Sequence, residues 1–107
     1  MQGETLKGHL DMLLLAALES RPAHGYAVVE TLRQRSAGTF DLPEGTLYPA
    51  LHRLEGAGLV TSAWSDETGR RRRVYQLTAR GRRSLEQKQS EWRSFVQAVN
   101  GVVEGMA

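Results

Sequence analysis

Apolar and polar positions change period several times along the chain, and each change predicts a boundary. From His9 to Ser20 the chain is almost without polar positions, with Leu10, Met12, Leu13, Leu14, Leu15, Ala16, Ala17 and Leu18 in close succession. A helix that is apolar on every side must be covered on more than one face. The pattern therefore predicts a buried first helix. Arg21-Pro22-Ala23-His24-Gly25 reads as a turn, because Pro and Gly interrupt regular structure. A second helix follows from Gly25 to Gln34, with Tyr26, Val29 and Leu32 spaced by three along its inward edge. Gly38 and Pro43 make Ser36 to Pro43 a linker.

The third helix can be laid out by angle. At about 100° per residue, Leu47, Leu51, Leu54 and Gly58 fall on one side and form a core-facing stripe. The other side carries Gly45, Pro49 and His52, flanked by Thr46, Tyr48 and Arg53. Small, aromatic and hydrogen-bonding groups there suit close approach to a flat partner, where an ordinary surface helix would present Glu and Lys. Pro49 lacks an N–H and crowds the preceding turn, so the regular helix is expected to start near Gly45 or to bend at Pro49.

Beyond this helix the period shortens. Val60 to Trp64 and Arg72 to Leu77 read as two strands, and the turn around Ser65 to Gly69 is too long for a two-residue hairpin. A last helix starts near Thr78, a suitable N-cap. Along it Trp92, Phe95, Val99, Val102 and Met106 recur at spacings of three and four, with Val96 widening the stripe and Leu85 extending it backward. That is a coiled-coil seam, and a single helix on so small a domain leaves it without a partner. The expected cover is the seam or first helix of a second copy. The fold expected is mainly α with a small β-hairpin (α+β), a winged helix-turn-helix over residues 1–77 and a C-terminal dimerisation helix over 78–107.

Charge sharpens this picture. Seven of the 14 Lys and Arg lie between Gly69 and Arg83, a stretch without an acidic residue. Solvated faces usually mix signs, so an unopposed run points to phosphates. In a strand Arg71 and Arg73 share one face, and Arg70 and Arg72 the other. Arg70, Arg71 and Arg72 are the candidates for backbone contact, while Arg73 is expected to pack its stem near Tyr75. A helix suited to base edges beside a basic hairpin suited to phosphates is the arrangement of a reader of duplex DNA.

The remaining composition sets limits. The 107 residues support one modest core, and the net charge of +2 makes the chain no general polycation. With no cysteine, disulfides, thiolate metal sites and a Cys nucleophile are excluded. Leu13 to Leu18 is too short to cross a bilayer, and the absence of a secretory h-region leaves the cytoplasm as the expected location. His9, His24 and His52 fall on three different elements, which argues against an enzyme. His52 and Glu55 share helical i, i+3 spacing, but such a pair is ordinarily polar surface, so neither metal nor cofactor is expected. The competing class is a winged-helix protein-interaction module that has lost DNA.

With His24-Gly25-Tyr26, Gly45-Thr46-Leu47-Tyr48-Pro49-Ala50-Leu51, Arg53-Leu54-Glu55, Gly58-Leu59-Val60, Gly69-Arg70-Arg71-Arg72, Val74-Tyr75 and Leu77-Thr78 in view, the chain resembles the PadR family of bacterial transcriptional regulators. The single C-terminal helix is similar to the small PadR subfamily. The resemblance implies a homodimeric winged-helix repressor whose C-terminal helices exchange against the partner's N-terminal region, which would bring Leu10 and Leu14 to the interface. It further implies that Tyr26 contacts phosphate, that Thr46, Tyr48 and Pro49 lie at the groove, and that the wing arginines touch the backbone. In one multidrug-responsive branch a tryptophan of the last helix lines a pore at the dimer centre. Trp92 occupies a comparable place and is the candidate contact for a small planar aromatic effector.

Overall fold

The first helix, α1 (Leu10–Ala17), is central because its leucines have no polar side to turn outward. Leu10, Leu14, Leu15 and Ala17 are buried, and Met12, Leu13 and Ala16 are half-buried against the same cluster. The computed structural model describes residues 6, 8–67 and 69–105. After α1 come β1 (Ala23–His24), α2 (Gly25–Arg35), α3 (Glu44–Gly56), β2 (Val60–Ser65), β3 (Arg72–Leu77) and α4 (Ala79–Val103).

The expected hairpin is present and is extended by a third strand into an antiparallel sheet in the order β1-β3-β2. β1 occupies the segment assigned above to a turn: Ala23 pairs with Tyr75 and His24 with Val74. Two residues carry too short a pattern to register as a strand, and the partner that orders them lies about fifty positions away. In the hairpin, Val60 pairs with Leu77, Ser62 with Tyr75 and Trp64 with Arg73. Val60, Tyr75 and Leu77 face the core and are buried.

α3 starts at Glu44, so the late start allowed for by Pro49 is what occurs, and Pro49 is accommodated inside the helix on its exposed side. Leu47, Ala50, Leu51 and Leu54 form the buried stripe. Gly58 is not part of it. The helix has ended, and Gly58 takes φ +77, with the Leu59 N–H donating back to Leu54 O at 3.0 Å and the Gly58 N–H to Glu55 O at 3.0 Å. A β-carbon is strained at that φ, which is why glycine closes this helix.

α4 is rooted on the same closure. The Thr78 hydroxyl donates to Gly58 O at 2.7 Å and accepts from the Gly81 N–H at 2.9 Å, while the Thr78 N–H donates to Leu59 O at 3.1 Å. A side chain at Gly81 would collide with the Leu59 carbonyl. Leu85, one turn on, is the last residue of α4 in the core. Beyond it the helix projects, giving the molecule a long dimension of 55 Å against 28 and 21 Å.

The seam on that projecting part is largely uncovered by the described residues. Phe95 is 59% exposed, Val102 85% and Trp92 40%; Val99 is exposed and Val96 half-buried. Met106 lies outside the described residues. Leu10 and Leu14, expected at an interface, are instead inside the chain's own core. The apolar excess of α1 is absorbed by α2, α3 and the root of α4.

Candidate nucleic-acid interface

Three elements converge on one open cleft of about 910 Å³: the start of α2, α3 through Tyr48, His52 and Glu55, and the basic hairpin; Gly45, Thr46 and Pro49 do not line it. Its walls hold His24, Tyr26, Tyr48, His52, Trp64 and the run Arg70 to Arg73. The cations come from the hairpin and the aromatics from all three elements, so the cleft is positive on one wall and flat on the other.

α3 presents Gly45, Thr46, Pro49 and His52 to solvent. These follow from the buried leucine stripe, since fixing Leu47, Leu51 and Leu54 inward fixes what points out. Tyr48 is half-buried rather than free. Its ring lies on Gly25 at the first turn of α2, where any side chain would strike the phenol. Arg53 is a correction. Its Nη1 donates to both carboxylate oxygens of Asp11, at 2.9 and 3.0 Å, so it turns toward α1 and away from the cleft. Sequence angle placed Arg53 near the edge of the outer face, and a long side chain at an edge goes to whichever partner is closer.

At the mouth of the cleft Tyr26 is 68% exposed, with its ring roughly parallel to that of His24 at 6.4 Å. His24 caps α2. Its Nδ1 accepts from the Ala27 N–H at 3.3 Å, and Arg72 Nη1 lies 2.7 Å from its Nε2. Burial first, and the Arg72 charge second, hold the imidazole below its ordinary pKa of 6.5.

The four arginines therefore differ. Arg72 is tied to His24. Arg73 packs inward as expected: its Nε donates to Ser62 Oγ at 2.9 Å, and its Nη2 lies 3.9 Å from Glu55 Oε2. Glu55 also accepts from Ser62 Oγ at 2.6 Å, so it serves the hairpin; among the described residues no group of three potential ligands could hold a metal. Arg70 and Arg71 are exposed. His24, Trp64 and Arg73 join the cleft without having been singled out for it. Trp64 could have been found by counting alternation forward from Val60, but only once its register with Arg73 is known.

A second hollow of about 700 Å³ lies between α1 and α4, lined by His9, Asp11, Met12, Arg53, Trp92 and Phe95 among others. The Trp92 ring meets His9 edge-on at 5.0 Å and Phe95 at 6.1 Å. Among the described residues no helix is long and apolar enough to cross a membrane.

Comparison with known proteins agrees with this geometry. The family described as "Transcriptional regulator PadR-like family" matches residues 14–87. A transcriptional regulator of Mycobacterium tuberculosis is 42% identical over 62 residues, covering 58% of this chain and 55% of its own length. A solved transcriptional regulator from Clostridium thermocellum is 30% identical, with a TM-score of 0.85 over 94% of this chain and 99% of its own. A solved PadR family transcription regulator from Clostridium difficile is 38% identical, with a TM-score of 0.75 over 88% of this chain and 96% of its own.

Proposed function

Because the chain belongs to the PadR-like family of transcriptional regulators, which are DNA-binding proteins and not enzymes, we propose that it is a repressor that binds a two-fold operator as a homodimer. Residues 1–77 are the DNA-binding unit and 78–107 the dimerisation helix. The observation that carries the reading is the cleft in which Tyr48 and His52 of α3 and the arginines of the hairpin line one surface, on the helix that also exposes Gly45, Thr46 and Pro49. Thr46, Pro49 and His52 on α3 are the base-reading group, with Gly45 allowing close approach. Tyr26, Arg70 and Arg71 are the phosphate group, and Tyr48 and Arg72 hold the two groups in register through Gly25 and His24.

Support for a homodimer is the uncovered seam from Trp92 to Val102. A two-fold pair of such chains presents two α3 helices whose separation must match half-sites about 34 Å apart. Since α4 is bonded through Thr78 to the closure of α3, a rotation at the seam is carried to the reading helix. A planar aromatic compound stacking on Trp92 in the α1–α4 hollow would release DNA in proportion to its preference for the mismatched dimer.

Selection of bound duplexes from a randomised pool tests the reading. Enrichment of an inverted repeat that is lost in a Thr46→Ala/His52→Ala variant is the expected outcome. Recovery of no sequence preference, with the protein folded and the pool bound, would overturn it.

A further inference from the structure

Trp64 stands in an unusual place for a large apolar residue, at the exposed end of a hairpin and on the face turned toward α3. It is 55% exposed. Register explains what it meets. Arg73 is directly opposite Trp64, and Arg71, two positions earlier, falls on the same face one diagonal away, within reach of a large ring. Both guanidiniums lie over the indole, Arg71 at 4.7 Å from the ring centroid and Arg73 at 5.3 Å.

The two stacked arginines differ at their edges. Arg73 donates its Nε–H to Ser62 and is ion-paired with Glu55, so it is a fixed strut. Arg71 has no acceptor among the described residues and its side chain borders the cleft. A guanidinium stacks through its face and hydrogen-bonds through its edge, and stacking on the indole therefore leaves the edge donors of Arg71 available. An unrestrained arginine must give up rotamer freedom when it grips a phosphate; one already laid on a ring gives up less.

We infer that Trp64 is a positioning residue for DNA binding, holding Arg71 so that its guanidinium edge meets a backbone phosphate in the cleft. This rests on the DNA-binding reading above and adds a residue to it. Trp64 acts through Arg71 and not by touching bases, which gives the inference a signature that a direct contact or a purely structural role lacks.

The test is a double-mutant cycle on a fluorescent duplex of mixed sequence, long enough for two half-sites, followed by anisotropy. Trp64→Leu keeps an apolar side chain of similar reach and removes the π face. In the wild-type background it should weaken binding about fivefold, and in an Arg71→Ala background by less than about twofold. Trp64→Phe, which restores a face, should return affinity to within about twofold of wild type. In parallel, with no DNA present, the Arg71 Nε–H resonance should carry a ring-current shift that Trp64→Leu removes. Equal losses in both backgrounds, or an Arg71 resonance indifferent to Trp64, would overturn the inference while leaving DNA binding intact. A wild-type protein that binds no duplex at all would instead overturn the reading on which it rests.

Discussion

The Tyr48 ring lies on the α-carbon of Gly25, so closely that a β-carbon there would sit 2.7 Å from the phenol Cζ. This contact joins the middle of α3 to the first turn of α2, setting the distance between the groove-facing helix and the Tyr26 end of the cleft. Gly25→Ala should therefore move Tyr48 or open the α2–α3 angle. Crowding of this kind costs about 1–3 kcal/mol, readable as a lower urea midpoint.

Gly45 provides the opposite case. Nothing lies within 4 Å of a β-carbon built on it, and it sits inside a helix. Gly45→Ala should raise stability by about 0.5–1 kcal/mol while lowering DNA affinity, because the added methyl stands between α3 and its groove. Thermal melting and anisotropy on the same preparation separate the two effects.

The Asp11–Arg53 pair predicts a silent arginine. Both partners are partly exposed, so breaking the pair should cost no more than about 1 kcal/mol. Arg53→Ala should leave the salt dependence of duplex binding unchanged, in contrast to substitution of Arg71. A decrease in slope with Arg53→Ala would return that residue to the DNA surface.

A large part of the fold could be read from periodicity. The leucines of α1 and α3, the N-cap Thr78 and the span of β3 all rest on signals local in sequence. What escaped depended on distant partners. β1 is two residues ordered by β3, Arg53 is claimed by Asp11 from another helix, and Leu10 and Leu14 are absorbed by the chain's own core. The same reason hid Trp64: it lies between Ala63 and Ser65, and acquires its role only when pairing sets it against Arg73.

His24 gives the stability a pH dependence. Its folded-state pKa is lowered, by burial and then by Arg72, so above the unfolded value of 6.5 both states are neutral and the residue adds no slope. As pH falls below 6.5, the unfolded chain takes up a proton that the folded chain resists, and stability is lost. Replacing His24 with Asn, which keeps an N-cap acceptor, should flatten this slope. Urea unfolding at a series of pH values from neutral to mildly acidic, for both proteins, measures it.

Dimerisation has a sharp probe in Val99. It is exposed on the seam of α4 and far from the buried core, so Val99→Asp leaves the monomer fold untouched but places an uncompensated charge in the proposed helix pairing. Sedimentation at micromolar concentration should find wild-type dimers and variant monomers. Monomers in both would remove the seam from the account.

The central claim is that the cleft between α3 and the hairpin holds the phosphate backbone of duplex DNA, and the logarithm of affinity against the logarithm of salt concentration tests it most directly. The wild-type protein should give a steep negative slope, and Arg71→Ala a slope shallower by about one for each bound subunit. Salt-independent binding, or a slope identical in the two proteins, would contradict it.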